Sequence, residues 1–155
     1  MKISLISSGK IKKDFFLAAE KDFQKRISRL CDFNIVRISA EKLNKNTNPQ
    51  VAKEKEGENI LKKINTDSLL ISLDSQGKEF EARNFATFLK KKEALAKRIF
   101  FAIGGANGLS KEILKRSDEI ISLSKMTFTQ DLATICFLEM LFRGLCINNN
   151  LPFDR

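Results

Sequence analysis

Ile99-Phe100-Phe101-Ala102-Ile103, followed at once by Gly104-Gly105-Ala106-Asn107-Gly108, is the most informative stretch of this sequence. An unbroken apolar run of that length reads as a strand buried on both faces, the kind found in parallel sheets. Glycines directly after such a strand let a ligand approach the main chain and let backbone N–H groups point into a pocket. The stretch is neither the G-x-G-x-x-G dinucleotide fingerprint nor a phosphate loop ending in Gly-Lys-Ser/Thr. A tight strand-to-helix connection would look the same.

Working outward, strands and helices alternate. Residues 2–7 form a first strand closed by Gly9, and Phe15, Phe16, Ala19, Phe23, Ile27 and Leu30 recur at helical spacing as one apolar stripe. A second strand covers 33–38, and 40–48 is a polar, Lys/Asn-rich loop. Asn48-Pro49 then reads as an N-cap with proline in the first helical turn. The helix to about residue 64 carries Lys53, Glu54, Lys55, Glu56, Glu58, Lys62 and Lys63, a mixed-sign pattern that reads as a solvated face. A buried strand at 68–73 precedes a helix over 82–97 with Phe85, Phe88, Leu89 and Leu95 inward. A short helix at 109–116, a strand at 119–123 and a last helix at 130–148 complete the pattern. This alternation predicts an α/β fold with a mainly parallel sheet flanked by helices, as a single domain over 1–155.

Composition excludes several chemistries. The chain has 155 residues, 43% hydrophobic and 30% charged, which suits a globular domain rather than a disordered one. Its 28 Lys+Arg against 19 Asp+Glu leave +9, a surplus suited to a polyanionic partner. The uncharged stretch 99–110 falls well short of the ~20 residues of a membrane helix, and the short apolar run 3–6 does not make a signal peptide. No membrane association is expected. The 3 cysteines, without C-x-x-C spacing, read as reduced thiols of a cytoplasmic protein. With 0 histidines, zinc sites and His-assisted triads are not expected, and no metal is.

Ligands of parallel sheets sit at the carboxyl ends of strands. That rule directs attention to Leu73-Asp74-Ser75-Gln76-Gly77-Lys78, to Gly104 and its neighbours, and to Leu123-Ser124-Lys125-Met126-Thr127-Phe128. The first could equally be an ordinary turn, and the last a plain strand-to-helix loop. The final helix is apolar nearly all round apart from Thr134, Glu139 and Arg143, which suggests that a second copy of the chain covers part of it. Glu139 and Arg143 stand at i and i+4, so Arg143 is either one half of a salt bridge or a contact for an anionic substrate.

Taken in order, Met1-Lys2-Ile3, Gly9-Lys10, Lys53-Glu54-Lys55-Glu56-Gly57, Leu73-Asp74-x-x-Gly77-Lys78, Ile103-Gly104-Gly105-x-x-Gly108-Leu109, Ser122 to Phe128, Glu139-x-x-Phe142-Arg143 and Pro152 resemble the RlmH family of SPOUT-class methyltransferases. The likeness covers essentially the whole chain. It implies a SPOUT fold with a C-terminal trefoil knot, a homodimer, and methylation of N3 of a pseudouridine in 23S rRNA, on free RNA or the assembled ribosome. The implied methyl donor is S-adenosyl-L-methionine, with contacts at Leu73, Gly104, Leu123, Ser124, Lys125, Met126, Thr127 and Phe128. On this reading Gly104→Val places a side chain where the cofactor lies and spares the fold. Arg143 would steady negative charge spreading onto the uracil oxygens, and Lys90, Lys91, Lys92 and Arg98 would grip phosphates.

The tail departs from the family's pattern. Where members usually close with Pro-Tyr-His, this chain has Pro152-Phe153-Asp154-Arg155, and a common Pro-His pair is Thr129-Gln130 here. Asp154 is then the available replacement base, with an ordinary Asp pKa of about 3.9 to overcome. A binding protein that keeps the fold with weak or no turnover is the alternative that the altered tail raises.

Overall fold

The computed structural model describes residues 1–40 and 48–152. The expected alternation is realised as β1 (Lys2–Ser8), α1 (Asp14–Ile27), β2 (Asp32–Ile38), α2 (Pro49–Leu61), β3 (Leu69–Lys78), α3 (Ala82–Glu93), β4 (Ile99–Ile103), α4 (Lys111–Arg116), β5 (Glu119–Ile121) and α5 (Gln130–Asn148). The strands make one sheet in the order β2-β1-β4-β3-β5, every pair parallel. β4 is central and wholly buried, as its unbroken apolar run requires.

Because side chains alternate along a strand, β4 feeds two cores. Ile99, Phe101 and Ile103 pack with Ile27 of α1, Phe85 and Leu89 of α3, and Phe137, Leu138 and Leu141 of α5. Phe100 and Ala102 pack on the opposite face with Ile60 of α2 and Ile113 of α4. Helices therefore cover both faces of the sheet. Local signals set their starts: Asn48 Oδ1 accepts from the Gln50 N–H at 2.9 Å with Pro49 in the first turn, and Ser110 Oγ accepts from the Ile113 N–H at 3.3 Å.

Three details differ from the sequence reading. Helix α3 ends at Glu93, so Leu95 lies beyond its apolar stripe and is 68% exposed. Phe15 is likewise exposed and meets the Phe16 ring at a tilted angle instead of entering the core. Strand β3 continues past residue 73 to Lys78, which pairs with Ile121 after a register shift. That extension wraps residues 74–78 over the end of β5, where a Cβ on Gly77 would come within 2.5 Å of the Ile121 carbonyl carbon.

Candidate functional site

Connections leave the carboxyl edge of the sheet in opposite directions. The chain leaves β4 for α4 on one face, whereas it leaves β3 for α3 and β1 for α1 on the other. β4 is thus flanked on both sides by a neighbour whose connection diverges from its own, the arrangement that opens a crevice at a strand's carboxyl end. A cavity occupies each crevice.

The first, about 290 Å³, lies beyond β3 and β4. Its walls include Leu73, Asp74 and Ser75 of β3, the loop from Ile103 through Gly104 to Ala106, and Leu123, Ser124, Met126, Thr127 and Phe128 before α5. Local hydrogen bonds fix these segments: Asp74 Oδ1 accepts from the Gln76 N–H at 2.9 Å, the Ser122 hydroxyl donates to the Ser124 carbonyl at 2.9 Å, and Ser124 Oγ accepts from the Met126 N–H at 3.0 Å. Met126 is 73% exposed and Phe128 is also exposed, leaving two large apolar side chains at the rim. Gly104 is required by packing: its Cβ would sit 2.4 Å from the Gly108 carbonyl carbon and 2.6 Å from the Leu109 nitrogen. That vector points into the neighbouring backbone rather than the cavity, which corrects the expectation that a Gly104 side chain would occupy ligand space and spare the fold.

The fold brings together all of the sequence-selected contact residues except Lys125, whose ammonium donates to the Ser75 carbonyl at 3.0 Å and the Gly77 carbonyl at 3.3 Å. Lys125 therefore ties the 123–128 loop to the extension of β3. Asp74, Ser75, Gly105 and Ala106 also line the cavity and lie within loops whose glycines had signalled a site. Gln130 and Ala133 line it too, on the first turn of α5, without any local signal in the sequence.

The second cavity, about 610 Å³, opens beyond β1 and β4 and shares Gly105, Ala106 and Gln130 with the first. Gln130 bridges the two, since its side-chain amide donates to the Ser8 carbonyl at the end of β1.

Arg143 pairs with Glu139 through its Nε, as the i,i+4 spacing allows. It lies some 15 Å along α5 from Ala133, at 1.5 Å per residue. Asp154 falls outside the described residues. The expected phosphate grip is not where the cavities are: Lys92 is paired with Glu119, and Arg98 donates to Ser4 Oγ at 2.7 Å and Asn34 Oδ1 at 3.1 Å. These groups sit at the amino edge of the sheet, because α3 returns the chain to the start of β4. Among the described residues no cluster of carboxylates and cysteines could hold a metal ion, and no helix is long and apolar enough to cross a membrane.

The residues fit S-adenosylmethionine as the family's methyl donor. Leu73, Ile103, Leu123 and Ala133 offer apolar walls for a flat heterocycle, main-chain groups edge the cavity, and the Asp74 carboxylate suits a cationic ligand. Comparison with known proteins agrees with this geometry. A family model described as "Predicted SPOUT methyltransferase" matches residues 1–153. A protein named Ribosomal RNA large subunit methyltransferase H from Parabacteroides distasonis is 39% identical over 154 residues, covering 99% of this chain and 98% of its own. A protein of the same name from Clostridium kluyveri is 38% identical over 159 residues and 100% of both chains, and that of Clostridium tetani is 36% identical over 162 residues. With a parallel α/β sheet, a crevice on the expected loops and full-length relatives, the chain belongs to the SPOUT methyltransferase family.

Proposed function

We propose that this protein is an S-adenosylmethionine-dependent methyltransferase that modifies N3 of a pseudouridine in 23S rRNA, working in the cytoplasm as a homodimer and folded as a single domain. The observation that carries the reading is the convergence of Leu73, Gly104 and the 123–128 loop on one cavity at the carboxyl edge of the sheet. Bound S-adenosylmethionine supplies an electrophilic methyl group. The protein's own task is to hold the acceptor nitrogen in line with it, to exclude water and to take up the N3 proton.

The dimer reading rests on α5. Leu132 is exposed, and Cys136, Glu139 and Arg143 follow it along one helical stripe at partial exposure. A second copy covering that stripe can bring Arg143 to the partner's cavity, which its distance from its own cavity would otherwise prevent. There it would steady charge on the uracil oxygens, with Asp154 of the tail a candidate base. A trefoil knot is supported by the approach of Gly77 to the β5 backbone and by the Lys125 bonds to residues 75 and 77.

The test uses methyl-labelled S-adenosylmethionine and ribosomes from cells lacking the enzyme, with nucleoside mass spectrometry of the product. Label on N3 of a pseudouridine is the expected result. Cofactor binding without label would favour a binding protein without turnover, the reading raised by Phe153-Asp154-Arg155.

A further inference from the structure

The second cavity and the Lys53-Glu54-Lys55-Glu56-Gly57 motif are left over once the cofactor site is drawn. The motif does not lie wholly in solvent. Gly57 packs so tightly on Ser110 that a Cβ would come within 2.2 Å of its Oγ, and this pins α2 to the start of α4. The same helical edge then faces the glycine loop: Glu56 Oε2 and Ser8 Oγ each lie 2.7 Å from the point where a Gly105 Cβ would stand. Both residues line the second cavity. Ser8 is 1% exposed and, among the described residues, its hydroxyl is the one buried side-chain polar atom without a hydrogen-bond partner. A buried hydroxyl left unpaired costs stability unless a ligand completes it.

We propose that the second cavity receives the acceptor base, with Glu56 taking the N3 proton and Ser8 Oγ bonding the adjacent uracil edge. The assignment rests on the methyltransferase reading above and names the substrate pocket of that same site. Gly105, Ala106 and Gln130 line both cavities, so a base held in the second lies next to the cofactor side, with its N3 edge open to both the Glu56 carboxylate and the methyl group. In the transfer the N3 electron pair forms the new bond to the methyl carbon, and the carbon–sulfur bond breaks with its pair retained on sulfur. The N3 proton passes to the Glu56 carboxylate, so a sulfonium and a carboxylate are both neutralised. A polyanion suits the mouth, where Lys10 and Lys12 line the cavity and are exposed. Among the described residues the remaining charged group of that wall is Asp131, with Lys53 on the Glu56 edge of α2.

The experiment compares the full-length protein with Glu56→Gln, Ser8→Ala and Asp154→Asn on unmethylated ribosomes, following kcat/KM across pH and cofactor affinity by calorimetry. Glu56→Gln should bind the cofactor within about twofold of wild type and lose roughly 10²-fold in rate. Its rate should then rise about tenfold per pH unit on the alkaline side, as solvent takes the proton instead. Ser8→Ala should match or exceed wild type in melting temperature, yet lose about tenfold in kcat/KM. A wild-type rate in Glu56→Gln, or the alkaline rise in Asp154→Asn instead, overturns the assignment. Should Glu56→Gln fail to fold, full activity in Ser8→Ala overturns it. If the wild-type protein itself leaves pseudouridine unlabelled, the methyltransferase reading fails first and the pocket with it.

Discussion

Replacing Gly104 by alanine separates a crowded loop from a blocked ligand site. The added methyl would stand 2.4 Å from the Gly108 carbonyl carbon, 2.6 Å from the Leu109 nitrogen and 2.7 Å from the Gly108 oxygen. Comfortable carbon contacts begin near 3.5 Å, so the 108–109 backbone must retreat by about 1 Å. Overpacking of this kind costs about 1–3 kcal/mol. For a domain of this size that is roughly 2–12 °C in melting temperature. Gly104, Gly105 and Gly108 all line the first cavity, so the retreat also reshapes its wall. If about 1.4 kcal/mol of that mismatch falls on binding, affinity for S-adenosylmethionine drops about tenfold. Thermal melts and calorimetry on the same preparation read both effects. A Gly104→Ala protein that melts like wild type yet binds no cofactor would show that the methyl enters ligand space and that the packing argument is wrong. A protein unchanged in both would show that the loop yields freely.

Arg143→Ala should lower turnover by roughly 10²-fold while leaving cofactor affinity unchanged; an equal rate would reduce Arg143 to its ion pair with Glu139. Arg37 pairs with Glu20, which is 8% exposed, and bonds Ser7 as well. Arg37→Ala leaves that carboxylate buried without its counter-ion, a loss of about 3–5 kcal/mol, readable as a lower urea midpoint with unchanged slope. Burial pushes the Cys31 thiol from its ordinary 9.0 up to about 11. The unfolded chain gives up that proton first, so the folded state holds more protons through this window and stability falls as pH rises across it. Cys31→Ala should flatten part of that alkaline decline in urea titrations; an identical decline would remove Cys31 as its cause.

Much of the fold was legible because local chemistry wrote it. The apolar run 99–103 reads as a strand buried on both faces, and β4 matches those bounds. Asn48-Pro49 announced the start of α2 through the cap and the fixed proline φ, and the last helix runs over 130–148 as its largely apolar character suggested. Where the reading slipped, long-range pairing had overruled local pattern. Residues 74–78 look like a turn, yet their pairing with β5 through Lys78 extends β3. The lysines of α3 read as a phosphate grip near the site, yet the parallel return to β4 places them away from both cavities, at the amino edge of the sheet, where Glu119 takes Lys92.

The sequence by itself determined the alternating elements, the glycine loop after the central strand and the loops that meet at the first cavity. Glycine placement and apolar periodicity act over a few residues and leave a local trace. Only the tertiary structure decided the strand order β2-β1-β4-β3-β5, and with it the two crevices flanking β4. The same decision brought Gln130 of α5 to the end of β1 and turned Glu56, one charge among many on α2, toward Gly105. Such meetings join residues scores of positions apart, and the free energy that selects them comes from burying both faces of one sheet at once, which no single segment encodes.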